Sequence, residues 1–129
     1  MKKLILFVLI IFNFISPAKA EFSEIDFQEL NKKEKIAVCI GMLMSYSTVC
    51  IRGDGGTKML NFVAMQTVAF NNIYDESLDN YTSEVKAGMK FGLELSQNCS
   101  YDRKFMSFLS DNCAPNMAEI NNKIEQMVK

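Results

Sequence analysis

Four cysteines, Cys39, Cys50, Cys99 and Cys113, constrain the fold of this chain more than any other feature. They follow an N-terminal leader typical of exported proteins, and an even number of cysteines in a small exported domain indicates disulfides. Cys39 and Cys50 lie eleven residues apart on one predicted helix, which separates them by about 16 Å. A disulfide needs Cα atoms within about 7 Å, so these two cannot pair with each other. Cys99 and Cys113 flank a short predicted helix and are excluded as a pair for the same reason.

The expected path of the chain selects between the two pairings that remain. In an up-down-up-down bundle, Cys50 and Cys99 each follow an ascending helix, and both lie at the same end. The segment from Cys99 to Cys113 then descends by about the same length as the segment from Cys50 back to Cys39. The sequence therefore predicts the disulfides Cys50–Cys99 and Cys39–Cys113.

Residues 1–20, MKKLILFVLIIFNFISPAKA, have the pattern of a bacterial Sec-type signal peptide. Two lysines precede an apolar run, and a small-x-small cleavage site ends at Ala20. The run is shorter than the roughly 20 apolar residues of a spanning helix, so we expect cleavage after Ala20, with an uncleaved anchor as the alternative. The expected mature protein is a single all-helical domain over 21–129, periplasmic or secreted, without stable membrane insertion.

Histidine is absent from the whole sequence, and its absence excludes several kinds of chemistry. No Ser-His or Cys-His nucleophilic pair, histidine metal ligand or histidine pH switch can form. Without the three lysines of the leader, the domain has 11 basic against 15 acidic residues, a net charge of −4. No basic stripe is present, so we expect no nucleic-acid partner. We also expect no enzymatic activity, because no spacing of carboxylates or nucleophiles indicates a catalytic site.

Helical periodicity runs through the mature sequence and predicts an all-α, disulfide-stapled bundle of four to five helices. Ser23 and Asn31 are each followed three residues later by an acidic residue, which predicts two capped helix starts. The glycine-rich segment 52–56 predicts a reversal after the first main helix. The next helix is expected over about 58–70.

A third helix is predicted from about 75 to 98, with one apolar stripe facing inward. This stripe consists of Leu78, Tyr81, Val85, Met89 and Leu93. A short fourth helix should follow, and residues 111–115 should break it before a last helix begins at Pro115.

Two helix faces are candidates for contact with a partner. The first main helix has a face of small residues, which can seat a neighbouring helix or dock a partner: Gly41, Ser45 and Thr48. The last helix has an apolar stripe at a and d positions, which can be a seam of the bundle or of a homodimer: Met117, Ile120, Ile124 and Met127.

Cys39, Met42 and Met44 offer soft ligands of the kind that bind Cu(I). However, Met42 and Met44 point about 160° apart on a helix and cannot both face one ion. Methionine is also an adaptable filler of hydrophobic cores. We therefore expect no metal site and no cofactor.

By elimination, the sequence favours a protein-binding module of the inhibitor or immunity type, with another protein as its partner. Two alternatives stay open: a periplasmic stress chaperone or accessory subunit of an envelope complex, and a carrier of a soft metal or small ligand.

Overall fold

The computed structural model describes residues 22–129, so the predicted signal peptide lies outside the described residues. Over this range the chain forms a helical bundle without strands, which confirms the predicted fold class. The helices are α1 (Glu24–Glu29), α2 (Lys32–Val49), α3 (Asp54–Tyr74), α4 (Thr82–Leu95), α5 (Arg103–Phe108) and α6 (Ala114–Met127). None of these helices has the length and apolar character needed to cross a bilayer.

Both predicted helix starts are confirmed as capping boxes. At α1, the Asp26 backbone N–H donates to Ser23 Oγ over 3.3 Å, and the Ser23 N–H donates back to the Asp26 carboxylate over 3.0 Å. At α2, Asn31 and Glu34 exchange the same two hydrogen bonds at 2.9 and 3.0 Å. These bonds satisfy backbone donors that lack partners inside a helix, which is why so local a pattern could be predicted.

The predicted boundaries of the two middle helices are wrong. α3 begins at Asp54, within the glycine-rich segment, and continues to Tyr74 before Asp75 takes a left-handed conformation with φ 49°. A 3₁₀ turn over Leu78–Tyr81 then precedes α4. Side chains stabilise this connection, because Leu78 N–H donates to Asn71 Oδ1 over 3.1 Å. Such side-chain bonds to the backbone compete with a continuous helix.

The predicted break at residues 111–115 is also wrong. The backbone runs from α5 into α6 through a π-helical turn over Leu109–Cys113. Pro115 is the second residue of α6, directly after the π turn. The Asn116 side chain donates to the Asn112 carbonyl over 2.6 Å. α5, the π turn and α6 therefore form one long helix, which makes five helices in the described part of the chain.

The α2 helix lies at the centre of the bundle, and residues 36–42 are buried without interruption. At one end, Phe108 packs edge-to-face on Phe27 of α1 and on Phe91 of α4, with ring centroids 5.0 Å apart in each pair. This geometry is the favoured one for aromatic pairs, and it holds α1, α4 and α5 together.

An ion-pair network connects the start of α2 to the connection between α3 and α4. Lys33 Nζ donates to Glu76 Oε2 over 2.9 Å, and Tyr81 OH donates to Glu76 Oε1 over 2.9 Å. The hydrogen bond from Lys33, followed by that from Tyr81, lowers the pKa of Glu76 below its ordinary value. The same partnership raises the pKa of Lys33.

Protonation of Glu76 should therefore lower the free energy of unfolding in acid. Because the pKa of Glu76 is lower in the folded state, its contribution is present above the unfolded pKa of about 4.3 and is lost as pH falls through the folded value. We expect Glu76→Gln to be slightly less stable at pH 7 and to lose less stability on acidification. Urea unfolding between about pH 3 and 7 tests this, with Glu125→Gln, an exposed carboxylate of α6, as the control. Equal pH profiles for the two variants would contradict the prediction.

Candidate functional site

Glycines allow α2 and α4 to approach closely along their length. A Cβ at Gly41 would meet the backbone carbonyl of Val85, and a Cβ at Gly88 would meet that of Val38. Gly92 continues this contact one turn later, where an added Cβ would lie 3.1 Å from a Cα atom of α2. The two backbones therefore touch, and the separation of the helices is set by the missing side chains.

Both disulfides have the predicted pairing. Cys39–Cys113 joins α2 to the π turn with Cα atoms 5.7 Å apart, and Cys50–Cys99 joins the end of α2 to the segment after α4 with Cα atoms 5.2 Å apart. The first bond is buried and the second is largely exposed. With Cys39 in a disulfide, no thiolate is left for the soft-metal site considered with Met42 and Met44.

An apolar depression of about 400 Å³ lies where α2 and α4 meet at the surface. Its α2 wall consists of Ser45, Thr48 and Val49. Its α4 wall consists of Lys86, Met89, Lys90 and Leu93. Val49 is 55% exposed, a high value for a β-branched apolar side chain on a helix.

A second depression, of about 320 Å³, continues the first toward the start of α4. Lys86 and Met89 line both, so the two depressions adjoin each other. The second part is completed by Met44, Thr67, Leu78, Asp79, Thr82 and Val85. We call the two depressions together the α2–α4 groove.

Lys86 and Lys90 stand one turn apart on α4 at the rim of the α2–α4 groove, and both are exposed. Within residues 22–129, the ion pairs are Lys32–Glu119 and Lys33–Glu76, so neither rim lysine forms an ion pair with a carboxylate of the described chain, and exposed Glu94 follows Lys90 by one turn. Asp79 is the acidic residue of the groove and lies at its far end. The middle of the groove is therefore apolar with a positive edge.

A larger depression, of about 560 Å³, lies elsewhere, between α1 and α5 beside the π turn. Arg103 and Lys104 line it together with Glu24 and Asp111, so opposite charges balance. It contains no buried polar group without a hydrogen-bond partner. Its lining does not favour any one class of ligand. Its larger volume alone therefore does not make it a better candidate for a binding site than the α2–α4 groove.

The structure divides the residues proposed for a partner face. Gly41 is buried under α4, whereas Ser45 and Thr48 line the α2–α4 groove, Ser45 buried and Thr48 exposed. In the last helix, Met117, Ile120 and Ile124 are buried in the core. They are therefore not accessible to a partner, and the interpretation of the stripe as a seam of the bundle is the one the structure supports.

The last residue of that stripe, Met127, is 41% exposed at the end of α6. The hydrophobic spacing of α6 places a core face correctly, but it does not show whether the helix covering that face belongs to the same chain.

Sequence reasoning missed most of the α2–α4 groove. The sequence pattern predicts that Met89 and Leu93 face inward, but in the structure they are only half-buried. Lys86 and Lys90 flank that stripe one turn apart, a signal that could have been read as a charged border to an exposed apolar face.

Over residues 22–129, no cluster of three or more cysteine or acidic side chains could hold a metal ion. Comparisons with protein-family models, with curated proteins and with solved structures find no significant match to this chain.

Proposed function

We propose that this chain is an exported, non-enzymatic protein-binding module of the inhibitor or immunity type. In this proposal, it is released by signal cleavage and acts in the periplasm or outside the cell. The observation that carries the proposal is the α2–α4 groove, an open apolar surface with unpaired lysines on its rim. Hydrophobic grooves on helical proteins are one of the recurring surfaces that bind a partner.

The rigidity of the groove walls supports this function. The glycine contact sets the distance between α2 and α4, and Cys50–Cys99 ties their adjacent ends together. A surface held in its binding shape before the partner arrives loses less entropy on association, which favours tight and specific binding. A chaperone that accepts many unfolded clients would benefit instead from an adaptable surface.

A capture experiment with two matched variants tests the proposal. Val49 in the groove and Met106 on α5 are 55% and 54% exposed, so Val49→Glu and Met106→Glu place the same charge on equally exposed apolar sites. We expect the oxidised mature domain to capture one stoichiometric protein from the exported fraction. Met106→Glu should retain that partner, and Val49→Glu should bind it at least about tenfold more weakly, because a carboxylate is left in an apolar contact.

Two outcomes would overturn the proposal: equal retention of the partner by both variants, or the absence of any stoichiometric partner. Recovery of many substoichiometric clients would favour the chaperone alternative. Circular dichroism of both variants should show unchanged helix content, because both substitutions are on exposed helix positions.

A further inference from the structure

The proposed function leaves the chemistry of the partner undefined, and the α2–α4 groove restricts it. We infer that the occupant of the groove is an acidic amphipathic helix of the partner protein. This inference rests on the proposed function and adds the class of structure and charge that the groove selects. Three properties of the described residues support it: the chemistry of the walls, the length of the groove and the charge of its rim.

The groove walls favour a helical occupant over an extended one. Both long walls are α-helices, whose interior backbone N–H and C=O groups are hydrogen-bonded within each helix. An extended peptide would find no strand edge with which to pair, and its own backbone groups would lose water without compensation. A helix satisfies its backbone internally and presents only side chains to the groove.

The length of the groove matches a short helix. Along α4 it runs from Thr82 to Leu93, eleven residues or about 16 Å. About three turns of a partner helix cover this distance, which places apolar anchors at i, i+3, i+4 and i+7 against the groove. Met89 lines both depressions and Met44 lines the second, and their flexible side chains can adapt to the shape of such anchors.

The rim charge favours an acidic occupant. Lys86 and Lys90 are unpaired within the described chain, on a domain whose mature net charge is −4. Carboxylates one turn apart on the partner helix would face both lysines. A symmetric contact between two copies of this chain through the groove would instead bring two lysine pairs to one interface, because each copy contributes the same surface. Such like-charge contact disfavours the homodimer.

Designed peptides test the inference directly. The acidic probe is a helical peptide of about 14 residues with leucines at i, i+3, i+4 and i+7 and glutamates on both flanks. The matched probe carries lysines in place of the glutamates, and palmitate is the third ligand. We expect the acidic peptide to bind at least about tenfold more tightly than the basic one by fluorescence anisotropy, with affinity falling as salt is raised.

Charge reversal of the rim provides the second arm of the experiment. Lys86→Glu/Lys90→Glu should reverse the preference between the two peptides, whereas Lys104→Glu, a reversal on α5 outside the groove, should leave it unchanged. The inference is overturned if neither peptide binds or if both bind equally. It is also overturned if palmitate binds the unchanged domain and fails to bind the Lys86→Glu/Lys90→Glu variant, or if the domain dimerises through the groove. If Val49→Glu weakens capture of the partner but the acidic peptide does not bind, the inference of an acidic helix is wrong and the proposed function is retained.

Discussion

Gly88→Ala should remove about 3 kcal/mol or more of the free energy of unfolding, a large part of the 5–15 kcal/mol typical of a domain. The added Cβ would meet the carbonyl oxygen of Val38 and lie 2.8 Å from its carbonyl carbon. Val38 is fully buried in the central helix, so its backbone cannot move aside without disturbing the core. Thermal unfolding followed by circular dichroism should show Tm lowered by more than about 10 °C.

Gly55→Ala is the matched control for this prediction. Gly55 lies in the first turn of α3, and a Cβ there would meet only a side-chain methyl of Ile51 at 3.2 Å. Alanine is a better helix former than glycine by roughly 0.5–1 kcal/mol, so we expect this variant to be neutral or slightly stabilised. If both variants unfold at the same temperature, the close contact between α2 and α4 does not set the stability of the bundle.

Removal of Cys39–Cys113 should cost more stability than removal of Cys50–Cys99. The two disulfides span 74 and 49 residues, which corresponds to about 4 kcal/mol each in the chain-entropy model. The difference comes from packing: Cys39 and Cys113 are buried, so alanines there also leave a cavity in the core. Urea unfolding of the two double-alanine variants measures both losses.

Exposure should also set the order in which the two bonds are reduced. Cys99 is exposed and Cys113 is buried, so a mild reductant should reach Cys50–Cys99 first. Alkylation followed by peptide mapping should identify a species in which Cys50 and Cys99 are modified and Cys39–Cys113 is intact. Simultaneous loss of both bonds, or earlier loss of the buried one, would contradict this prediction.

The helical class, the two capping boxes and the disulfide pairing could all be predicted from the sequence because each depends on local or nearly one-dimensional geometry. Ser23 and Asn31 each act on a backbone N–H three residues away, within the same turn. For the cysteines, the fixed rise per residue excludes a bond between Cys39 and Cys50, and the expected up-down-up-down path of the helices then selects the pairing.

The π turn at Leu109–Cys113 could not be predicted in this way. The sequence Asp111–Pro115 is also compatible with a break, and local propensity favours a break over the rarer turn. Two tertiary contacts hold the continuous path: Cys113 is bonded to Cys39 of α2, and Gln28 of α1 donates to Asn112 Oδ1 over 2.8 Å.

By itself, the sequence of this protein determined the helical fold class, the starts of two helices and, once an up-down-up-down path was assumed, which cysteines meet. Tertiary structure decided which apolar faces are covered. Ile120 and Met89 both lie on helical apolar stripes, yet the bundle buries the first and leaves the second at the border of a groove. Periodicity shows the direction of a face relative to its own helix axis. Whether another helix covers that face depends on where the neighbouring helices end and how far apart they lie, and for α2 and α4 the separation is set by backbone contact at Gly41 and Gly88.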